Sequence, residues 1–565
     1  MCGIAGYSGL GDANIPVGAL IERMDHRGPD GTGCFVRGSQ GIGMSRLHIR
    51  GENVPLPFET NNGEKVALNG QVYRVRRSNS ETYQSDTVPT AEANAIIDIA
   101  LRRKEIADGM YAAVAFEEKS KGLFGIRDKF GIKPLFFRNL PEGTAFASEL
   151  SPLLSLGSPP RLRRQSIDEF LIFGRPLDNH TFYENIYRVP PGTKVVIDAF
   201  GVNEQVPLTP ANDKLSGGWS PNGLREAIQD SVAMCLDSAQ PIGIAVSGGL
   251  DSTILALEAN ELKADQLTTV SIGAGIGDGV NKLSDLKLPG STWKKWRHCF
   301  LEVGPNEYLR YLKAGIGRLS EPTAMTSVGL YEALATASKS CGIKTLLLGE
   351  GADELFMGYK SYRDTDRLSM DDNSLLMAFV VPTQHLRVIE KLIGPERVKY
   401  TLRKFAAMSP SSGWPDSLRT YEIKSSLVSL LERADHCLMG ASIEGRTPFL
   451  HGKVPDYALS IGADEHFSEA QGKILLRQAY HGNTHITNRA KVPFRAPFSD
   501  WLDKYLYKDV NEIIDSSATR FRSFGVDMKV VQRLLKKSKI SEFHKIIFLL
   551  LSLSLWAESL NEEYI

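Results

Sequence analysis

The chain has no surplus of charge: 66 Lys plus Arg stand against 66 Asp plus Glu, a formal net charge of +0 over 565 residues. That balance excludes a bulk electrostatic partner such as nucleic acid or an anionic membrane and leaves charge to act locally. Cysteine is scarce. Six residues (Cys2, Cys34, Cys235, Cys299, Cys341 and Cys437) form no CxxC pair, which excludes a zinc ribbon, a thioredoxin-like motif or a disulfide scaffold. A reducing, cytoplasmic compartment is the expectation, with the thiols at positions 34, 235, 299, 341 and 437 buried as apolar residues. Long apolar runs are also missing. The longest, Ile546 to Trp556, is interrupted by Ser552 and Ser554 and falls short of the roughly 20 residues of a membrane span, so it predicts a buried helix. The start, Met1-Cys2-Gly3-Ile4-Ala5-Gly6, lacks the basic and apolar segments of a secretory signal, and export is not expected. No repeat, low-complexity segment or GxxxxGK[ST] phosphate loop is present.

What is present is an ordinary globular composition, 42% hydrophobic and 23% charged, long enough for two large domains or three to four small ones. Up to about residue 200, short strands alternate with turn residues: Lys65 to Leu68 before Asn69-Gly70, Ala112 to Phe116, Leu123 to Ile126, Leu135 to Phe137 and Lys194 to Ile197, with a helical stretch at Ala91 to Lys104. This pattern predicts layered sheets. A Pro-, Asn-, Gly- and Ser-rich segment, Val206 to Pro221, reads as a linker. Beyond it strands alternate with helices: Ile242 to Val246, a glycine turn, helix Ser252 to Leu262, strand Leu267 to Ile272, helix Tyr331 to Ser340, strand Lys344 to Leu348. Such alternation predicts a parallel α/β sheet with ligands at the strands' carboxyl ends, and from about residue 370 the text is mostly helical.

Removal of Met1 leaves Cys2 with a thiol and an α-amine, whose pKa of about 8 suits it to act as base toward that thiol. Asn69-Gly70 follows a strand; alone it is a turn, but it can also offer a side-chain amide and a backbone N–H to an oxyanion. MCGIAG, HRGPDG, NGQVY, RDKFGIKPLFF and ASEL, in that order over about 150 residues, together resemble the class II glutamine amidotransferases. The resemblance implies an N-terminal-nucleophile αββα sandwich over residues 1–205 in which Cys2 attacks the glutamine amide and releases ammonia. It further implies that Asn69 and Gly70 form the oxyanion hole, and that Arg46 holds the glutamine α-carboxylate, a task suited to a forked guanidinium. The aspartate that holds the α-amine matches Asp86 in Gln84-Ser85-Asp86-Thr87-Val88; a different gap places Pro89-Thr90-Ala91-Glu92 there and loses it.

Ser247-Gly248-Gly249-Leu250-Asp251-Ser252 lies between a strand and a helix, where glycine backbone and helix-start N–H groups meet phosphate. Asp251 is placed to hold magnesium. Gly349-Glu350-Gly351-Ala352-Asp353-Glu354 follows another strand and concentrates carboxylates that need cations, although on its own it reads as a solvated acidic loop. With Glu321-Pro322, Glu444 to Leu450, Lys473 to Arg477, and Pro493 to Pro497 ahead of Trp501, these segments resemble the asparagine synthetase family. The resemblance implies an adenine-nucleotide alpha-hydrolase-like domain with added C-terminal helices over residues 222–565, joined by linker 206–221, that adenylates a carboxylate with Mg–ATP. Val246, Ser247, Gly248, Gly249, Leu250, Asp251, Ser252, Ile272, Leu348, Gly349 and Glu350 are then the ATP contacts, and Asp251 and Asp353 the metal ligands. Lys473 stabilises the charge of the intermediate and Glu350 assists ammonia attack as a base. Glutamine, ATP and a carboxylate, by family default aspartate, are the implied small-molecule partners, with a homodimer of the kind relatives often form. The chain departs from the family text at Leu348 (usually Ser), Met357 (Gly), His436 (Arg or Lys) and His451 (Asp), and over Gly273 to Trp293. These departures imply an alternative acceptor such as a specialised carboxylate or sugar acid.

Overall fold

The computed structural model describes residues 2–77, 82–84, 89–102, 105–117, 122–208, 218–262, 267–274, 295–363, 383–408, 413–482, 487, 494–537 and 541–560. Among the described residues, thirteen strands form two antiparallel sheets, of six and seven strands. In the first sheet β1 (Cys2–Gly9) lies centrally between β3 (Gln40–Arg46) and β10 (Gly143–Ala147). The edges are β2 (Gly31–Arg37) on one side and β9 (Phe136–Leu140) followed by β11 (Ile186–Arg188) on the other. The second sheet runs β13 (Gly201–Pro207), β12 (Thr193–Asp198), β8 (Gly122–Arg127), β7 (Glu105–Glu117), β5 (Lys65–Arg77) and β4 (Phe58–Glu59), with β6 (Thr82–Gln84) paired to β5. Ile4, Ile42 and Met44 of the first sheet pack against Leu68, Val114 and Phe124 of the second, and helices Asn14–Glu22 and Pro89–Ile97 complete the layers.

Asn69-Gly70 corrects the turn expectation: β5 continues through it for eight more positions of pairing with β7, from Asn69 opposite Ala112 to Arg77 opposite Glu105. Gly70 has φ +107, and a Cβ there would sit 1.9 Å from the Met110 carbonyl oxygen, so only glycine lets the two strands stay paired.

The third sheet is wholly parallel, in the order β16 (Arg297–Glu302), β15 (Leu267–Gly273), β14 (Ile242–Ala245), β17 (Thr345–Leu347), β18 (Glu444–Arg446). The alternation of apolar strands with helices thus appears as the α/β layer it predicts. Helix Pro221–Cys235 opens with a Ser220 hydroxyl that accepts from Gly223 N at 3.0 Å, which fixes where the chain re-enters regular structure after the Pro- and Gly-rich segment. The apolar run near the end forms helix His544–Glu558, whose Ile546 to Ala557 are all buried. Among the described residues no helix is long and apolar enough to cross a membrane. This helix caps both halves: Trp556 lies 5.1 Å from the Phe182 ring and donates from Nε1 to the Tyr183 hydroxyl at 3.0 Å.

The cysteines differ from expectation. Cys235 and Cys437 are buried, but Cys34 is exposed, and Cys299 on β16 is disulfide-bonded to Cys341, at the end of helix Ser327–Ser340. Spacing in sequence gave no hint because the two are 42 residues apart and meet only when the helix packs back on its sheet. A loop of that length ties down the unfolded chain, so Cys341→Ser or reduction is expected to lower stability by roughly 2–4 kcal/mol. Denaturant unfolding with and without reductant, beside a non-reducing peptide map, measures it.

Candidate functional site

Cys2 opens the central strand of the first sheet and is buried, paired in register with Arg46 on β3. Its backbone nitrogen donates to Asn69 Oδ1 at 3.1 Å. That bond orients the Asn69 amide and leaves Nδ2, also buried, without an acceptor among the described residues. An unspent buried donor costs stability unless a ligand meets it, and Gly70 follows it in the chain. Burial raises the Cys2 thiol above its ordinary pKa, against the pull of Arg46. Arg46 donates to the carbonyls of Glu52 (2.9 Å) and Arg50 (3.2 Å) and stacks over Phe58, so it also fastens the segment that follows β3. Asp86 lies outside the described residues. Glu92, the other alignment option, is buried and accepts from Arg50 (3.1 Å) and Val72 N (3.3 Å); burial pushes its carboxyl up to about 7.

Sequence reasoning missed Arg27, although HRGPDG contains it. This fully buried guanidinium donates to the Cys2 carbonyl (3.3 Å), to Glu149 (2.7 Å) in the ASEL segment, and to Asp435 (2.6 Å) on helix Leu427–Met439. Lys133, equally buried, reaches Asp435 at 3.6 Å and the Gly445 carbonyl at 3.3 Å. Glu432 on the same helix accepts from Arg127 (3.2 Å) and Arg188 (3.0 Å). His436 does not enter this ionic set as an anion partner; its Nδ1 faces the Glu432 carbonyl at 2.8 Å, and it packs on Phe136. His451 pairs through Nδ1 with Asp108 at 3.3 Å, edge-on to Tyr73.

The second constellation surrounds a cavity of about 740 Å³ at the carboxyl ends of β14, β15 and β17. Its lining includes Val246, Ser247, Gly249, Leu250, Asp251, Ser252, Ile272, Leu348, Gly349, Glu350, Asp353 and Lys473, so the structure gathers nearly every sequence-selected nucleotide contact in one place. Gly248 adjoins them in the loop with φ +77, and a Cβ built there meets nothing within 4 Å. The loop is shaped from inside: the Ser252 hydroxyl accepts from Ser247 N at 3.2 Å and Thr253 donates to the Gly249 carbonyl at 2.7 Å. Helix Leu250–Glu261 starts directly behind it.

Lys473 Nζ lies 2.6 Å from both Asp251 oxygens and 2.7 Å from Asp353 Oδ1. Burial lowers the ammonium's pKa, but the two aspartates outweigh it and hold the group above its ordinary value. Lys473 adopts φ +58, and so does Met357 at φ +53 where the family text has glycine. Left-handed backbone at non-glycine residues costs roughly 1–3 kcal/mol each and marks a place where the surroundings dictate shape. Glu350 accepts from the Tyr331 hydroxyl and from Arg433. Arg433, Tyr331, Ser327 and Phe494 also line the cavity, and sequence reasoning gave none of them a role in a site. Arg433 had no legible signal, being one arginine in an amphipathic helix.

The departures from the family text separate here. Leu348 lines the cavity, whereas Met357, His436 and His451 are not among its described lining residues. Residues 275–294, nearly all of the atypical stretch, lie outside the described residues.

Charge across the contact between the halves has two measurable consequences. Arg27→Met removes the short guanidinium contacts to both buried carboxylates, leaving Asp435 to Lys133 at 3.6 Å and Glu149 to His26 at 3.1 Å, and is expected to cost about 3–5 kcal/mol in denaturant unfolding. Glu444 sits 2.6 Å from Arg446; burial alone would raise its pKa, but Arg446 and Lys133 help bring it from 4.5 down to about 2. Its stabilising contribution is therefore complete above the unfolded value of 4.5 and is lost as pH falls toward about 2. Glu444→Gln should flatten the stability profile across that window in an acid titration.

Comparison with known proteins accords with this geometry. The asparagine synthase family matches residues 223–558, more than half of the chain, and the glutamine amidotransferase domain matches residues 1–206. A Bacillus subtilis asparagine synthetase [glutamine-hydrolyzing] 1 is 27% identical over 565 residues, covering 88% of this chain and 87% of the relative. A putative asparagine synthetase [glutamine-hydrolyzing] of Mycobacterium bovis is 26% identical, covering 88% and 86%. Amidase chry2 of Gibberella zeae is 26% identical over 64% of this chain and 58% of the relative. A solved B. subtilis glutamine phosphoribosylpyrophosphate amidotransferase covers 54% of this chain and 81% of its own at 12% identity and a TM-score of 0.24. With an N-terminal-nucleophile sandwich beside a parallel α/β sheet, the chain belongs to the asparagine synthase family and is an ATP-dependent, glutamine-hydrolysing ligase.

Proposed function

We propose that this ligase converts aspartate to asparagine, cleaving ATP to AMP and pyrophosphate, with residues 1–205 as glutaminase, 206–221 as linker and 222–565 as synthetase. The observation that carries the reading is the convergence of Lys473 on Asp251 and Asp353 at the foot of a glycine loop that has no Walker lysine. Such a loop suits release of pyrophosphate as a unit. The acceptor carboxylate attacks the α-phosphorus, the α–β bridging bond breaks, and Lys473 neutralises charge that builds there. The donor set fits magnesium: two hard carboxylates converge, no group of three or more metal-ligating side chains occurs among the described residues, and this ion commonly combines one or two carboxylates with phosphate and water. When bound, it neutralises the phosphates.

At the other site Cys2, freed of Met1, attacks the glutamine amide carbon with its own α-amine as base. Burial keeps the thiol protonated until that base acts. The Asn69 Nδ2 donor and the backbone at Gly70 take the oxyanion, Arg46 takes the α-carboxylate, and Asp86 is the proposed partner of the α-amine. Ammonia leaves, and water hydrolyses the glutamyl thioester to glutamate. Ammonia then displaces AMP from the acyl-adenylate and the acceptor amide forms.

A second reading keeps this chemistry and changes the acceptor to another carboxylate. Leu348 favours it, because it replaces a hydroxyl residue in the cavity wall. Aspartate is preferred because the other three named departures are not among the residues that line the cavity.

Cys2→Ala should reduce glutamine-dependent amidation to background while ammonia-dependent amidation stays within about twofold; loss of both in a folded variant refutes the division of labour. Lys473→Met should lower pyrophosphate release by about 100-fold or more, the scale of one lost electrostatic donor, while glutaminase activity persists. Product analysis showing ADP in place of AMP excludes adenylation, and absence of asparagine from aspartate moves the acceptor to the second reading.

A further inference from the structure

Met357 stands where the family text has glycine, yet its backbone makes a glycine's turn. Helix Ala352–Leu355 carries Asp353, and the chain leaves it through Met357 in the left-handed region at φ +53, which lets Gly358 N donate back to the Asp353 carbonyl at 2.9 Å. That bond closes a left-handed helix stop, a turn at which glycine avoids the crowding of a Cβ. Methionine makes the same turn at higher energy, which burial of its side chain offsets. The side chain is fully buried in an apolar cluster with Leu177, Tyr362, Phe405, Leu418 and Ala463. Phe467 packs against the same cluster, and it pairs with Gly472 across a hairpin that ends one residue before Lys473.

Between these anchors the two segments cross in close contact. A Cβ on Gly472 would lie 2.6 Å from the Met357 carbonyl oxygen, and one on Gly358 would lie 2.0 Å from Asp353 Oδ1 and 2.1 Å from Lys473 Cε. The lysine stem therefore runs over bare backbone at Gly358 to place its ammonium 2.7 Å from Asp353 Oδ1. A displacement of about 1 Å between such segments is enough to take a catalytic group out of its productive place. Glycine at position 357 would preserve the turn but leave the Asp353 side of the crossing without its side-chain anchor.

We propose that Met357 is a positioning residue of the nucleotide site: through the apolar cluster it fixes the Asp353 turn against the Lys473 hairpin, and so sets where the ammonium meets the charge that develops at the α-phosphorus. This rests on the role given to Lys473 in the adenylating reading above. It extends the synthetase machinery to a residue that is not among those lining the cavity. The methionine acts through Lys473 and Asp353 and touches no substrate.

The test uses the full-length protein. Met357→Gly relaxes the turn and removes the anchor, Met357→Ala keeps the strained turn and removes the anchor, and Met357→Leu keeps both. Pyrophosphate release is measured with aspartate, glutamine and Mg–ATP and normalised to the glutaminase activity of the same sample, which reports folded protein. Met357→Gly and Met357→Ala should lower kcat about tenfold or more, the scale of a lost supporting contact, with KM for ATP within about twofold and Met357→Leu within about threefold of the parent. In a Lys473→Met background Met357→Gly should lower kcat no further, because it acts through that lysine. Calorimetry with a non-hydrolysable ATP analogue at stepped magnesium concentrations needs no acceptor: Met357→Gly should require about tenfold more magnesium for half-maximal binding, and Met357→Leu the parent amount. An unchanged kcat or an unchanged magnesium dependence in Met357→Gly overturns the proposal, as does an equal loss in Met357→Leu or a multiplied loss in the double variant. Loss of glutaminase activity from both Met357→Gly and Met357→Ala also overturns it, since the anchor would then serve folding as a whole. ADP as the product refutes the adenylating reading alone, and failure of aspartate to turn over refutes its acceptor alone, because the magnesium dependence still reports the Asp353 and Lys473 geometry.

Discussion

Helix Leu427–Met439 carries the constraint on which the rest of the molecule depends. Glu432, Asp435 and His436 are three and four positions apart and share one face; Arg433 is turned about 100° from Glu432. The shared face meets Arg127, Arg188, Arg27 and Lys133 of the amino-terminal half, and Arg433 pairs directly with Glu350 in the wall of the second cavity. Rotation or sliding of this one element would strand buried cations in one half and break an ion pair in the other. Buried pairs add little net stability over apolar packing, yet an unpaired buried charge costs several kcal/mol. The seam therefore discriminates sharply among dockings of the two halves, and it ties the strand bearing Cys2, through Arg27 and Asp435, to a wall of the second site.

The two sites share a physical signature. Each holds groups that folding leaves unsatisfied or strained: Asn69 Nδ2 beside Cys2, Arg433 Nε at the cavity, and the left-handed backbone of Lys473. Such features lower stability where they stand and persist because dense neighbouring packing fixes them. Lys473 illustrates the balance. Its ammonium is withdrawn from water, yet two aspartates from separate segments, 251 and 353, meet it within 2.7 Å.

Much of the fold was legible because its periodicities are local. Strand Lys194 to Ile197 and helix Ser252 to Leu262 were displaced by only a residue or two, since apolar alternation and a glycine turn act within a few neighbours. Asn69-Gly70 was misread because a turn dipeptide and a strand that needs a glycine look alike until the partner strand is known. The cavity-lining residues between Val246 and Ser252 were legible as a contiguous loop. Arg433, Tyr331 and Arg27 were not, because their partners lie tens to hundreds of positions away.

The sequence by itself determined the chemistry available: a cysteine next to the start, a glycine loop without a Walker lysine, and acidic residues after an apolar strand. It also determined the local elements, whose signals span a few residues. Only the tertiary structure decided which charges pair, that Cys299 bonds Cys341, and that one helix serves two sites. Those outcomes depend on distances between segments remote in the chain, and electrostatic and packing energies are fixed by such distances once water is excluded.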